Sequence, residues 1–172
     1  MRLLYLTFQE DAPLYAGVLN KIRGQASAFQ SLGFDVTYSW WKDNRFCFFG
    51  QNPQKVPINA SHGVMNRFYE IAAGYLQKNS CDVLYTRLDR IDFGVVALFR
   101  KARRYGVKKL LIEIPNYPYL KDYVNTVKAV RDPKRRAVST VKVHMAAAED
   151  RMAGPQLKGL VDAAVLYGDT AD

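Results

Sequence analysis

The sequence predicts an α/β protein, a Rossmann-like three-layer sandwich around a mostly parallel central sheet, and three observations carry that expectation. Short apolar runs alternate along the chain with segments whose apolar residues recur at helical spacing. Two junctions repeat one pattern, Leu32-Gly33-Phe34 and Tyr105-Gly106-Val107, each placing a glycine between a helical stripe and a strand. The chain has 172 residues, of which 49% are hydrophobic and 24% charged, enough to bury a core in one domain.

The elements follow in order. Residues 3–8 form a compact apolar run suited to a central strand buried on both faces. After a polar loop with Pro13, the residues Val18, Leu19, Ile22, Ala26, Phe29 and Leu32 make a helical stripe, opened by Gly17 and closed by Gly33. Phe34, Val36 and Tyr38 then alternate with Asp35 and Thr37 as a second strand. Residues 40–57, rich in aromatics and broken by Gly50 and Pro53, read as an irregular excursion with an edge strand near Arg45–Phe49. A helix over 64–77 leads to a third strand over 81–87. Phe93, Val96, Ala97, Phe99 and Ala102 form the next stripe, and 108–114 the next strand, stopped by Pro115. A long helical region over 122–152 is interrupted at Pro133, Gly154-Pro155 marks a break, and a last strand lies within 160–167. Alternation of this kind calls for right-handed crossovers and a parallel sheet.

Composition bounds the function classes. Aromatics at 13% argue against disorder, and no apolar run approaches the ~20 residues that span a bilayer. The opening residues read as a strand rather than a leader, which predicts a cytoplasmic protein. Cys47 and Cys81 have no CxxC spacing and read as small core residues. His62 and His144 make no metal-ligand pattern, so no metal is expected. The net charge of +9 is concentrated: residues 100–142 hold thirteen lysines and arginines against three acids, while the rest of the chain sums to −1. Lys128, Arg131, Lys134, Arg135 and Arg136 are the centre of this patch. With Val127, Val130, Val138 and Val141 interleaved on a helix, they suit an anionic membrane surface. No nucleic-acid motif accompanies them, so no nucleic acid is expected. The competing reading is a solvated helix face.

In a parallel sheet ligands sit at the carboxyl ends of the strands. The residues to examine are therefore those at 9–17, 87–92, 113–119 and from 167 onward. Gly17 leaves helix N–H groups open to an anion or a sugar oxygen, and Lys21, one turn on, adds a positive charge at the same mouth. Arg87 closes its strand, where it can fork onto a phosphate or carboxylate or else pair with Asp89 or Asp92. Glu113, between Ile112 and Ile114, is an acid at the end of a central strand. It can serve as a base, accept from sugar hydroxyls, or bind backbone N–H groups and shape the loop. Asn116, Tyr117 and Tyr119 follow in a loop stiffened by Pro115 and Pro118, suited to stacking on a sugar ring or to anchoring the loop. Neither GxGxxG nor GxxxxGKS occurs, which removes the dinucleotide fingerprint and the Walker loop.

With these residues laid out, the chain resembles the N-terminal domain of the GT-B glycosyltransferases of family 4. Leu3-Leu4-Tyr5-Leu6-Thr7-Phe8, Gly17-Val18 and the segment from Gln25-Ala26 through Leu32-Gly33-Phe34-Asp35-Val36 resemble that family's first strand–helix–strand unit. Asp82-Val83-Leu84-Tyr85-Thr86-Arg87 is similar to its strand ending in arginine. Leu111-Ile112-Glu113-Ile114-Pro115-Asn116-Tyr117-Pro118-Tyr119 resembles a variant loop of a bacterial branch, and Val161-Asp162-Ala163-Ala164-Val165-Leu166-Tyr167 the strand before the interdomain linker.

The resemblance implies that residues 1–172 are a single Rossmann-like domain that binds the acceptor, a cell-surface polysaccharide, a glycolipid or a similar sugar or lipid-linked hydroxyl. It places the nucleotide-sugar donor on a C-terminal domain absent from this chain, with the family's paired-glutamate donor motif beyond residue 172. The implied chemistry is metal-independent hexosyl transfer, with this half inactive alone. One departure stands out. Many family members carry a histidine after the strand that here ends in Glu113-Ile114-Pro115, and this chain has none there. Either Glu113 takes the acceptor-side catalytic role, or the loops do not correspond. Two other readings stay open: a membrane-recruiting subunit of a split glycosyltransferase, and a stand-alone α/β ligand-binding domain.

Overall fold

The computed structural model describes residues 1–50, 53–58, 64–115 and 119–167. The protein is an α/β, Rossmann-like three-layer sandwich. Its elements are β1 (Arg2–Leu6), a short 3-10 turn (Pro13–Tyr15), α1 (Ala16–Ser31), β2 (Asp35–Lys42), β3 (Arg45–Phe49), β4 (Gln54–Pro57), α2 (Val64–Lys78), β5 (Val83–Arg87), α3 (Phe93–Arg104), β6 (Lys109–Ile114), α4 (Tyr119–Lys128), α5 (Pro133–Lys158) and β7 (Ala163–Leu166). The strands make one seven-stranded sheet in the order β4-β3-β2-β1-β5-β6-β7. From β2 to β7 across the sheet, neighbouring strands are parallel, whereas β3 and β4 are antiparallel additions.

The side-chain alternation of β1 explains the two layers of helices. Leu3 and Tyr5 face α1, joining Leu19, Ile22, Ala26, Val83 and Tyr85 in one buried cluster. Leu4 and Leu6 face the opposite way, into a larger cluster built with α2, α3 and α5. Thr7 and Ser39 tie the ends of β1 and β2. The Ser39 hydroxyl accepts from the Thr7 N–H at 3.0 Å, and the Thr7 hydroxyl donates to the Ser39 carbonyl at 2.8 Å. Gly33 and Gly106 sit at φ +84° and +87°, so the two repeated helix-to-strand junctions are one left-handed device used twice.

Three expectations need correction. The excursion over 40–57 is a meander: β2 runs on to Lys42 and turns into β3 at Asp43-Asn44, both at positive φ. Two left-handed residues in a two-residue loop match the twist of a hairpin, and Asp and Asn tolerate that region best after glycine. Arg45–Phe49 is consequently not an edge strand, because β4 pairs along its outer side. Finally, α5 passes through Gly154-Pro155 without a break. Proline removes one intrahelical hydrogen bond, but Ala153 and Leu157 on either side of it are buried in the larger core cluster and hold the last turn in place. Pro133 does interrupt the helical region, and it starts α5 at the position where a missing N–H costs nothing, with Asp132 accepting from the N–H groups of Lys134 and Arg135.

A close approach on the larger face gives a sharp prediction. Asp92 caps α3 by accepting from the Val95 N–H at 2.9 Å, and the Tyr69 hydroxyl of α2 donates to the same carboxylate at 3.0 Å. A Cβ at Gly94 would fall 2.3 Å from two carbons of the Tyr69 ring. Gly94→Ala is therefore expected to cost about 1–3 kcal/mol of stability, through displacement of that ring. Gly17→Ala, with nothing within 4 Å of the added carbon, should change stability by less than about 0.5 kcal/mol. Urea denaturation of the two variants side by side checks the contrast.

Candidate functional site

The carboxyl ends of β1, β5 and β6 and the first turns of α1 converge on Glu113. The register sets this up: Arg87 lies opposite Glu113 on adjacent parallel strands, and Tyr5 lies opposite Tyr85. Glu113 is 0% exposed. Burying a carboxylate is costly unless it is paired and hydrogen-bonded, and Glu113 is both. Arg87 donates to Oε1 in a charge-assisted pair, and the Lys21 ammonium lies 3.6 Å from the same oxygen. On the other oxygen, Tyr85 donates at 2.8 Å and the Gln25 amide at 3.3 Å. Tyr5 donates to the Gln25 carbonyl at 2.6 Å, with its hydroxyl 3.5 Å from Glu113 Oε2.

The carboxylate thus gathers five residues from three elements, β1, α1 and β5, and its acceptor sites are taken up from within. The exposures grade outward from it. Arg87 is 11% exposed, whereas Lys21 is 44% exposed and its ammonium sits 4.3 Å from the centre of the half-exposed Tyr167 ring. An ammonium over an aromatic face, anchored below by a buried carboxylate, is a donor held in place at the surface. This mouth lies beside the point where the strand order reverses between β1 and β5, the crevice in which α/β sheets bind ligands.

Burial, followed by the charge of Glu113, pushes the Tyr5 hydroxyl well above the ordinary tyrosine range. Burial and then the hydrogen bond to Glu113 do the same to Tyr85. Both therefore remain proton donors across the neutral and mildly alkaline range. The sign of the linkage follows: an unfolded tyrosine releases its proton near 10.0, while the folded one keeps it. The stability contributed by these groups is complete below that value and is lost as pH rises above it. Melting temperatures taken from pH 8 to pH 11 should lose this contribution only above about pH 10, and the fall there should be smaller for Tyr85→Phe.

The structure brings together three of the residues singled out from sequence, Lys21, Arg87 and Glu113. Gly17 is the second residue of α1, exposed, at a helix start with no side-chain cap, one turn before Lys21. Arg87 pairs with Glu113, while Arg90 is the residue that lies beside Asp92, at 3.5 Å. Asn116 and Tyr117 lie outside the described residues; Tyr119 begins α4, and its side chain lies outside them as well. The basic residues Lys128, Arg131, Lys134, Arg135 and Arg136 are exposed around the α4–α5 turn. Sequence reasoning did not single out Tyr5, Tyr85 and Gln25 as site residues. Hydroxyls in otherwise apolar central strands were the available signal, since a buried tyrosine needs a partner, and Gln25 follows Lys21 by one helical turn.

Cys47 and Cys81 are buried and unpaired with each other. Burial pushes the Cys81 thiol up to about 11, which makes it a poor nucleophile at neutral pH. Among the described residues there is no group of three or more His, Cys, Asp or Glu side chains placed to hold a metal ion.

No family model matches the chain, and no curated protein matches it. Among solved structures, a phosphomethylpyrimidine kinase from Clostridium difficile 630 is similar over 100% of this chain and 77% of its own, with 8% sequence identity and a TM-score of 0.38. A likeness of that size carries no argument about function.

Proposed function

We propose that the chain is the acceptor-binding half of a GT-B glycosyltransferase of family 4. In that reading the whole enzyme transfers a hexose from a nucleotide sugar to a hydroxyl of a saccharide or lipid-linked acceptor. The bond from the anomeric carbon to the nucleotide's phosphate oxygen breaks as the bond to the acceptor oxygen forms, the nucleotide leaves as a diphosphate, and the acceptor hydroxyl gives up its proton. The observation that carries the reading is the Lys21–Arg87 pair, held by the buried Glu113 at the carboxyl ends of the central strands, with an aromatic ring beside the ammonium. Ammonium donors next to an aromatic face suit a ligand that has both hydroxyl or phosphate oxygens and an apolar ring face.

Glu113 acts here as a positioning residue. Its carboxylate is wholly buried and its oxygens are occupied, so it fixes Arg87 and Lys21 rather than touching the acceptor. Lys21 is the group that reaches the acceptor, with the helix start at Gly17 beside it. The donor sugar binds elsewhere, on the second half of the enzyme.

The test is a transfer assay on the native protein, captured from its own cells with an antibody against this chain and supplied with radiolabelled nucleotide hexoses. The captured protein is expected to label a saccharide or lipid acceptor, and the isolated 172-residue chain to label none. Lys21→Ala should lower the transfer by roughly 10- to 100-fold, mainly through KM, if it removes a binding contact. Absence of labelling from every nucleotide hexose by the captured protein would contradict the reading.

A further inference from the structure

Helix α5 carries apolar residues on two opposite sides, and only one of them is covered. Ala146, Ala153 and Leu157 are buried against the body of the protein. On the outer side, Val138, Val141, Met145 and Met152 are 57%, 58%, 66% and 61% exposed, with the exposed Ala148 between them. The spacing 138, 141, 145, 148, 152 keeps these residues on a single line along the helix, and Lys134 continues that line at its N-terminal end. Large aliphatic side chains in a continuous exposed row are unusual on a monomer, unlike the scattered surface leucines of any protein.

The flanks say what the row meets. Arg135 and Lys142 on one side and Arg151 on the other, all exposed, border it. The neighbouring acid is Glu149, and its carboxylate accepts from the Phe93 N–H at 3.1 Å, turned toward α3. An apolar ridge between basic borders matches a surface that is apolar inside and negative outside. Two copies of this helix would instead bring positive borders face to face, which disfavours self-pairing. A nucleic acid would use the charges but leave the valine and methionine row with nothing to bury against, and the row contains no aromatic ring on which a base could stack. Among the described residues no helix is long and apolar enough to cross a membrane, so α5 would lie along the surface.

We infer that the outer face of α5 is a docking surface for an anionic lipid bilayer. Val138, Val141, Met145 and Met152 enter the boundary between headgroups and acyl chains, and Lys134, Arg135, Lys142 and Arg151 engage the headgroups. The helix is about 39 Å long at 1.5 Å per residue, and it lies in the plane of the bilayer. The inference stands on this face alone. It does not depend on the Glu113 cluster or on sugar transfer.

The experiment is co-sedimentation of the 172-residue chain with vesicles, either of neutral phosphatidylcholine or with roughly a third of the lipid replaced by phosphatidylglycerol. Binding is expected to the anionic vesicles alone, to weaken with added salt, and to fall about tenfold or more in each of two variants. One is V141S/M145S/M152S, which removes the apolar row; the other is K134E/R135E/K142E, which reverses the border. All six positions are exposed, and circular dichroism verifies that both variants are folded. As a second readout, an environment-sensitive dye on M145C should shift to the blue with anionic vesicles, whereas the same dye on Q30C, exposed on α1, should not. Equal binding to neutral vesicles would overturn the inference. So would wild-type binding by the serine variant, which would leave a charge-only surface of the kind a nucleic acid uses. A dimer in gel filtration that the serine variant abolishes would assign the face to a second copy. Vesicle binding reads neither the mouth nor the transfer reaction, so its failure would leave the acceptor-site reading to be judged by its own assay.

Discussion

Glu113→Ala is expected to lose about 3–5 kcal/mol of folding stability, the cost of leaving a buried cation without its partner. Arg87 is only 11% exposed, and Glu113 is the carboxylate it is paired with. For a protein of ordinary stability, about 5–15 kcal/mol, that is a large fraction of the total. The double variant Arg87→Met with Glu113→Leu separates pairing from packing, because it removes both charges and leaves apolar side chains of similar volume. It should recover part of the loss, because the buried Tyr85 hydroxyl and the Gln25 amide still lose their acceptor. Urea denaturation of the wild type, the single variant and the double variant measures both effects. A loss under about 1 kcal/mol for Glu113→Ala would mean that the carboxylate does not organise its surroundings.

Phe68→Ala should be comparably severe for a different reason. Phe68 reaches from α2 into the larger cluster, with ring centres 5.2 Å from Phe46, 5.6 Å from Phe8 and 5.9 Å from Trp41. Truncation leaves a cavity among rings that cannot collapse to fill it, at a cost of about 3–5 kcal/mol. Phe93→Ala, at the exposed start of α3, should cost less than about 1 kcal/mol. Parallel thermal or urea unfolding of the two variants tests the difference, and similar losses would contradict the burial argument.

The fold was legible where burial dictates the pattern. Residues 3–6 and 110–112 are apolar because the central strands are covered on both faces, and Gly33 and Gly106 mark the turns where a left-handed residue is required. It was less legible at the antiparallel margin. β4 is four residues long, bounded by Pro53 and Pro57, and its half-exposed pattern carries no strong period. The Asp43-Asn44 hairpin is a turn signal that the surrounding aromatics masked. At Gly154-Pro155 the local breakers were outweighed by the burial of Ala153 and Leu157, which no window on the sequence reports.

The candidate site was legible in part. Glu113, Arg87 and Lys21 could be named because charged residues at the carboxyl ends of central strands, or one turn into the following helix, have few reasons to be there. Their mutual contact depended on the register of β5 against β6 and on the way α1 crosses the sheet, which are tertiary facts. The same holds for the depth of Glu113. An acid near a mouth suggests a group that touches substrate, yet the structure surrounds this one with Tyr85, Gln25, Arg87 and Lys21. The row on the outside of α5 was seen only as Val138 and Val141. Met145 and Met152 lie within the helical region predicted over 122–152, but their place on its exposed side follows from the burial of Ala146, Ala153 and Leu157, which only the structure reports.

The central claim is that the Lys21 mouth binds an acceptor saccharide and not the nucleotide donor. NMR titration of the 172-residue chain tests it directly, with oligosaccharides and water-soluble lipid-linked saccharides in one series and nucleotide hexoses in the other. An acceptor is expected to shift the signals of Lys21, Arg87 and Tyr167, and Lys21→Ala to abolish the shifts without unfolding the protein. The nucleotide hexoses are expected to leave those signals in place. Shifts at Lys21 and Arg87 from a nucleotide hexose, with none from any acceptor, would contradict that claim.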